Sequence, residues 1–247
     1  ANERLVKMVV QTENLVRVFD GRETIKSCNI HVEQGSVYGF LGANGAGKTT
    51  VFKMLTGLLT PTAGKAIVLG MDITEQRDKV LRNIGSLIEV PIFYDHLTAV
   101  SNLEIHLTYM KTKGMGIAEA LELVGLDAAN KQPVARYSLG MRQRLGIARA
   151  IVHKPKLLIL DEPINGLDPM GIREMRELFL TLAHDRGMTI LLSSHILSEI
   201  EHTADAIGVI VNGEIVEEAE LAAIRERHPD GLEDYFFKIM SGGQKIA

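Results

Sequence analysis

Several features that would restrict the chain to a particular environment are missing from its sequence. It contains one cysteine, Cys28, so an intramolecular disulfide is excluded and a reduced compartment is the simplest expectation. Its longest apolar runs, such as residues 157–160, stop far short of the roughly 20 residues that cross a bilayer. Its net charge of −4 supplies no broad basic field, which argues against nucleic acid as a partner.

What remains is the composition of an ordinary globular protein. Hydrophobic residues make up 46% of the 247 residues and charged residues 23%, which suffices for a sizeable core. The length allows one large domain, or one domain with a subdomain. No internal repeat is evident, so we expect a single copy of each functional unit.

A glycine-rich loop carries the strongest signal in the sequence. Residues 42–49 read GANGAGKT, the complete phosphate-binding pattern G-x-x-x-x-G-K-[ST]. Glycines let successive N–H groups face phosphate oxygens, while Lys48 reaches the outer phosphates and Thr49 can ligate Mg²⁺. An apolar strand over 36–41 and a helix over 50–58 favour this interpretation over a turn that binds nothing. The expected nucleotide-binding residues of the loop are Gly42, Asn44, Gly45, Ala46, Gly47, Lys48, Thr49 and Thr50.

An acidic pair follows a second apolar strand. Residues 156–163 read KLLILDEP, so the strand delivers Asp161 and Glu162 at its carboxyl end. Phosphoryl transfer needs a metal beside the phosphates and a group that orients or deprotonates the attacking water. Asp161 suits Mg²⁺, directly or through a water, and Glu162 suits the attacking water. Acidic turn residues are common after strands, but the glycine-rich loop favours the catalytic interpretation.

A serine opens a helix between these two motifs. Residues 137–150 read YSLGMRQRLGIARA, in which apolar positions recur on one helical face. A serine and free N–H groups at a helix N-terminus form a second anion site around Ser138. Alone, this pattern is weak evidence for an anion site, because an ordinary N-capped helix has the same sequence pattern.

Together these motifs resemble those of the nucleotide-binding subunit of ABC transporters, in the family's order over nearly the full length of the chain. The corresponding elements are the P-loop (42–49), the signature (138–141), the Walker B strand (157–162), the D-loop (165–168) and the switch histidine, His195. Phe19 falls where an aromatic ring stacks on adenine in that family. His195 alone would be interpreted as structural, but it follows the apolar run 189–192, and ligands bind at the carboxyl ends of such strands.

Within the family, three segments resemble exporters that protect bacteria from bacitracin or lantibiotics: YSLGMRQRLGIARAI, LDEPINGLDPMGI and LLSSHILSEIE. The signature departs from the usual LSGGQ, with Tyr137, Leu139 and Met141 at its first, third and last positions. Glu89 stands where the family usually has the Q-loop glutamine, and lantibiotic self-protection ATPases carry a glutamate there, called an E-loop. A carboxylate only accepts hydrogen bonds, but its charge binds Mg²⁺ more strongly. We expect Glu89 to join the Mg²⁺ and water shell; the alternative is a surface glutamate at a strand end.

The resemblance implies an ATPase that dimerises around two MgATP molecules. Its catalytic residues are Glu162, His195 and Glu89, and its metal ligands are Thr49, Asp161 and Glu89. The second copy supplies Ser138 and Gly140 to the nucleotide, and Asp168 shapes the interface. Hydrolysis then moves a separate multi-span membrane permease that docks near residues 89–110. We expect a cytoplasmic chain, peripheral on the inner face of a bacterial cell membrane.

Alternative functions stay open at this point. The ATPase could drive an exporter of another class, such as a drug or polysaccharide exporter. A soluble ABC ATPase of translation or DNA repair is disfavoured by the single cassette and by the lack of a coiled-coil insertion. An inactive regulatory cassette is disfavoured because Lys48, Asp161, Glu162 and His195 are all intact.

The expected fold class is α/β: a P-loop NTPase (RecA-like) core with an antiparallel β subdomain and an inserted α-helical subdomain. Residues 1–247 form a single ABC ATPase domain, with the core and β subdomain over 1–88 and 151–220 and the helical subdomain over 89–150. Within it we expect antiparallel strands over 9–41, a helix over 172–183 and a hairpin at Asn212-Gly213. Residues 221–247 form a C-terminal helix and a flexible tail, whose SGGQ resembles the signature in letters only.

Overall fold

Two β-sheets and the helices packed on them make up the described part of the chain, residues 7–229 and 232–240 of a computed structural model. In chain order the strands are β1 (Met8–Phe19), β2 (Arg22–Cys28), β3 (His31–Glu33), β4 (Val37–Leu41), β5 (Ala63–Val68), β6 (Met71–Asp72), β7 (Ile84–Leu87), β8 (Leu157–Leu160), β9 (Thr189–Ser194), β10 (Ala206–Val211) and β11 (Glu214–Glu220). The helices are α1 (Lys48–Leu55), α2 (Arg77–Leu81), α3 (Ala99–Met110), α4 (Ile117–Leu123), α5 (Leu139–Ile151), α6 (Pro169–Leu180), α7 (Leu197–Glu201), α8 (Leu221–Arg227) and α9 (Glu233–Met240). The predicted α/β class is confirmed.

The first sheet is antiparallel, in the order β2-β1-β5-β6, and β3 also pairs with β1. Strands β1 and β2 meet at Asp20-Gly21, where both φ angles are positive (48° and 77°), as a two-residue hairpin turn requires. The expectation of antiparallel strands throughout 9–41 is wrong for β4, which belongs to the other sheet. All five residues of β4 are buried, and strands covered on both faces are typical of parallel sheets.

The second sheet has the order β11-β10-β4-β9-β8-β7 and is parallel apart from the β10–β11 hairpin. That hairpin turns at Asn212-Gly213, as predicted. The carboxyl ends of β4, β8 and β9 lie at one edge of the sheet. The P-loop, Asp161 and His195 follow those three strands, so the fold gathers them at that edge.

Two hydrophobic clusters lie on opposite faces of the parallel sheet, because alternate residues of β8 enter each of them. Leu158 belongs to the cluster that also contains Leu103 of α3 and Leu145 of α5. On the other face, Phe40 and Phe52 of α1 stack with ring centroids 5.7 Å apart, beneath the antiparallel sheet. Burial on both faces fixes the strand ends that carry the polar site residues.

The helix predicted over 172–183 begins earlier, as α6, and continues as a π-helical turn over Thr181–Asp185. The helical stretch predicted after residue 220 is two helices, α8 and α9, and Pro229 lies in the segment between them. The tail with its SGGQ motif (241–244) lies outside the described residues. Among the helices of the described ranges, none combines the length and apolar character needed to cross a membrane.

Candidate active site

The P-loop joins β4 to α1, and close contacts require its glycines. Gly47 has a φ of 114°, which residues with side chains rarely adopt. At Gly42, an added Cβ would lie 2.6 Å from the carbonyl oxygen of Ile210 on β10. The loop borders a cavity of about 200 Å³ lined by Thr24, Asn44, Gly45, Gly47, Lys48, Thr49, Thr50 and Glu162. Thr24 comes from β2, and no local pattern in the sequence indicates that it reaches this cavity.

Lys48 is the buried cation of this cavity, with 5% of its side chain exposed. Its Nζ donates to the carbonyl oxygens of Gly42 at 2.6 Å and Ala43 at 3.2 Å. It also lies 3.3 Å from Oε1 of Glu162. The two carbonyls hold the ammonium in place, and its charge is paired with the Glu162 carboxylate, for which an anion in the cavity could substitute.

Asp161 lies at the floor of the site and is 5% exposed. Its Oδ2 accepts a hydrogen bond from the Thr49 hydroxyl at 2.7 Å, and its Oδ1 accepts one from the Ser193 hydroxyl at 2.6 Å. A carboxylate and a hydroxyl in contact beside Lys48 form a hard-oxygen donor set that fits Mg²⁺. Among the described residues, no group of three His, Cys, Asp or Glu side chains could hold a metal. Mg²⁺ is usually bound through one or two protein groups together with phosphate oxygens and waters.

Glu162 is held by partners from several elements. Its Oε2 lies 2.9 Å from Nδ1 of His195, on the turn after β9. Its backbone N–H donates to Oγ of Ser193 at 2.9 Å. Its φ is 48°, a left-handed conformation that is uncommon for a residue with a side chain. The sequence-predicted Lys48, Asp161, Glu162 and His195 therefore lie together, and Ser193, which sequence reasoning did not single out, joins two of them.

Glu89 follows β7 and also has a positive φ, 58°. Its carboxylate forms an ion pair with Nζ of Lys53 on α1 at 2.6 Å, and 61% of its side chain is exposed. Glu89 borders a cavity of about 330 Å³ together with Val90, Pro91, Leu139, Gln143, Asp161, Glu162, Asn165 and Gly166. Glu89 therefore lies at the rim of the cavity that Asp161 and Glu162 line, with its own carboxylate bound to Lys53.

The predicted signature and D-loop residues are helix caps. The Ser138 hydroxyl accepts from the backbone N–H of Met141 at 3.2 Å at the start of α5. The Asp168 carboxylate accepts from the N–H of Gly171 at 2.9 Å at the start of α6. An added Cβ on Gly140 would lie 3.4 Å from Cδ2 of Leu167, so the signature packs against the D-loop. The hydrogen bonds of both caps are local to their own helices.

Phe19 ends β1 and is 40% exposed. The guanidinium carbon of Arg17 lies 4.5 Å from the centroid of its ring, so a cation already covers part of the aromatic surface. The ring's exposed part is what a planar base could contact.

A larger cavity, about 510 Å³, lies at the amino end of β4, beside Ser36, and not at the carboxyl edge where these residues meet. There the hydroxyl of Tyr38 donates to Oε1 of Glu218 at 2.8 Å, and His31 contacts the same carboxylate. Burial, reinforced by Glu218, holds the pKa of Tyr38 well above its usual range, so it stays a neutral donor. These three polar groups satisfy one another's hydrogen bonds.

Comparison with known proteins agrees with the geometry. The ABC transporter family profile matches residues 25–165 of the chain. The bacitracin transport ATP-binding protein BcrA of Bacillus licheniformis is 48% identical over 226 residues, which is 91% of this chain and 74% of that protein. The lantibiotic transport ATP-binding protein SrtF of Streptococcus pyogenes is 46% identical over 212 residues, 86% of this chain and 91% of that protein.

A solved structure described as the ATP-binding subunit of an ABC transporter has a similar fold. Its TM-score is 0.81 at 24% identity, and the match covers 94% of this chain and 99% of that one. Fold, motif geometry and sequence similarity therefore agree. The chain belongs to the ABC transporter family and is an ATP-binding subunit that hydrolyses ATP.

Proposed function

We propose that the chain drives an exporter of a lantibiotic or related peptide antibiotic and so protects the cell that carries it. The observation that carries this proposal is its similarity to BcrA and SrtF, at 48% and 46% identity over most of the chain. Glu89 in the Q-loop position agrees with it, because lantibiotic self-protection ATPases carry a glutamate there.

ATP binding in this proposal uses the residues around the P-loop. The loop N–H groups and Lys48 would contact the phosphates, and the exposed part of Phe19 would stack on adenine. Thr49 and Asp161 would hold Mg²⁺, with Glu89 nearby at the rim. When bound, Mg²⁺ would neutralise part of the charge that develops on the transferred phosphoryl group.

Glu162 is the general base of the proposed reaction. In the structure one carboxylate oxygen faces Lys48 and the other faces His195. Phosphate oxygens would compete with Glu162 for the Lys48 ammonium, which would free Oε1 to accept a proton from water. Nδ1 of His195 contacts Glu162, so Nε2 of the same histidine would be available to contact a phosphate oxygen.

Two copies of the chain would enclose two ATP molecules across an isologous interface. Ser138 and Gly140 of one copy would complete the phosphate site of the other, and Asp168 would shape the contact. Leu139 and Met170 support this arrangement, because they are large apolar side chains left 61% and 62% exposed beside Ser138 and Asp168.

A separate permease would dock on residues 89–110. Val90 is 70% exposed, Ile92 81% and Tyr109 77%, so this segment offers apolar contact area that its own fold does not cover. Docking there would place the chain in the cytoplasm, peripheral on the inner face of a bacterial cell membrane. It would also connect the permease directly to Glu89, which begins the segment.

The test is resistance in living cells. The chain would be expressed with the permease genes that neighbour its own gene, in a bacterium sensitive to bacitracin and to lantibiotics. We expect growth at antibiotic concentrations that stop cells carrying Glu162→Gln in the same operon. Active ATPase without protection against any peptide antibiotic would refute this substrate class and favour a drug or polysaccharide exporter.

A further inference from the structure

Gln143 lies on α5, in the helix that Ser138 begins, and it is 7% exposed. Its Nε2 donates to the carbonyl oxygen of Pro163 at 2.8 Å and lies 3.4 Å from that of Glu162. A primary amide has two N–H donors, so one side chain can serve both carbonyls. The contact joins the signature helix to the two residues that follow Asp161.

The peptide of Glu162 needs such support. With a φ of 48°, Glu162 has a backbone conformation that only surrounding contacts maintain in a residue with a side chain. Ser193 holds its N–H from the β9 side, and Gln143 approaches its carbonyl from α5. These contacts at both ends of the residue restrict where the carboxylate can point.

The helix is packed closely enough to hold this contact. One turn beyond Gln143, a Cβ added to Gly146 would lie 2.9 Å from Cδ1 of Leu87 and 3.1 Å from Cβ of Pro91. Helix α5 therefore lies directly on the end of β7. A shift of the helix would move the Gln143 amide relative to Glu162.

We propose that Gln143 is a positioning residue that ties the orientation of Glu162 to the position of α5. The proposal rests on the dimer described above, in which Ser138 of this helix contacts the partner's nucleotide. Ser138 and Gln143 are about 7.5 Å apart along the axis of one helix, at about 1.5 Å per residue. Occupation of the partner's site would therefore align the general base in this protomer's own site, and the two sites would hydrolyse cooperatively.

Gln143→Met tests this link because methionine has similar length and no amide donor. We expect ATP affinity and KM within about 2-fold of the wild type and kcat lowered about 10- to 100-fold, the scale of a misplaced catalytic group. The Hill coefficient for ATP hydrolysis should fall to about 1 from its wild-type value, and the melting temperature should fall by about 2–12 °C, because the buried carbonyl of Pro163 loses its donor. Gln132→Met is the matched control, since Gln132 donates to the carbonyl of Arg136 outside the site. It should keep wild-type kinetics.

Gln143→Leu is the second variant, because it removes the amide donor at similar volume without adding a charge. It should reproduce the low kcat at unchanged ATP affinity. The proposal is overturned if kcat stays within about 2-fold in a folded variant. It is also overturned if ATP affinity falls together with kcat in both variants, since Gln143 would then be only structural.

The dimer is tested separately by gel filtration of Glu162→Gln with MgATP. Failure of this variant to dimerise would refute the proposed arrangement of the two sites, whatever Gln143 does. Dimerisation of both Glu162→Gln and Glu162→Gln/Gln143→Met, with the kinetic loss above, would assign the effect to positioning. Loss of the dimer only in the double variant would overturn the positioning role.

Discussion

Nδ1 of His195 lies 2.9 Å from Oε2 of Glu162, and the two residues follow neighbouring strands of the parallel sheet. The other oxygen of the same carboxylate lies 3.3 Å from Nζ of Lys48. Each oxygen of Glu162 thus has its own cationic or ionisable partner. The direction of the carboxylate is set by residues from two separate elements, the start of α1 and the turn after β9.

His195→Ala removes one of these partners. We expect kcat to fall about 10- to 100-fold, because Glu162 loses the contact that orients Oε2. Nucleotide affinity should change much less, since the P-loop contacts stay. Steady-state ATPase assays with equilibrium nucleotide binding measure both quantities. His202→Ala is the control, because His202 is exposed and contacts the carbonyl of Ser198; equal losses in the two variants would contradict this role.

Ser193→Ala tests the hydroxyl that joins Asp161 to Glu162. Alanine would leave the part-buried N–H of Glu162 without this acceptor and take one donor from the buried Asp161 carboxylate. The free energy of unfolding should fall by about 1–3 kcal/mol, the cost of unpaired buried polar groups. Chemical denaturation measures it, with the exposed Ser198→Ala as the control. A stability unchanged from wild type would show that water or a shifted side chain replaces the hydroxyl.

Glu89→Ala tests whether Glu89 only forms an ion pair with Lys53 or also contributes to Mg²⁺ binding. The Lys53–Glu89 pair is largely exposed, so its loss should change the free energy of unfolding by less than about 1 kcal/mol. If Glu89 belongs to the Mg²⁺ and water shell, kcat or the apparent Mg²⁺ affinity should fall about 10- to 100-fold. Lys53→Met breaks the same pair and keeps Glu89, so it should retain activity. Unchanged ATPase rate and transport in Glu89→Ala would refute the metal role.

The contact between the partly buried His106 and the buried His153 predicts a pH dependence of stability. Nε2 of His106 lies 3.1 Å from Nδ1 of His153, whose other nitrogen contacts the carbonyl of Ile84. Burial, with smaller contributions from His153 and Arg149, lowers the pKa of His106 from its usual 6.5 to about 4. Between these two pH values the unfolded chain binds the proton and the folded chain does not. The free energy of unfolding therefore decreases as pH falls from 6.5 towards 4.

His106→Gln should reduce this pH dependence by about 1–2 kcal/mol, discounted for the partial exposure of the ring. Urea denaturation at several pH values across that range measures it. The exposed His96→Gln serves as the control and should leave the slope as it is. An identical slope in wild type and His106→Gln would mean that other groups cause the acid sensitivity.

The sequence predicted the elements whose signals are local. The glycine pattern at 42–49, the apolar strand before Asp161 and the Asn212-Gly213 turn each specify their structure within a few residues. The prediction that Asp161 and His195 lie together needed one further premise: the carboxyl ends of parallel strands lie at the same edge of a sheet.

Other features depend on contacts between distant segments, which one sequence does not reveal. Strand β4 follows a turn typical of a hairpin, but it pairs in the parallel sheet, where both of its apolar faces are buried. The pairing of Glu89 with Lys53 joins the end of β7 to α1. Gln143 lies between two arginines, and Ser193 is followed by another polar residue, so no local pattern indicates that either side chain contacts Glu162.

Hydrolysis by Glu162→Gln tests the central claim most directly. The account predicts that this variant binds MgATP about as tightly as the wild type and hydrolyses it at least about 100-fold more slowly, the scale of a lost general base. Glu226→Gln, an exposed position on α8, should hydrolyse ATP normally. Near-normal hydrolysis by folded Glu162→Gln, or no MgATP binding by folded wild-type protein, would contradict the account.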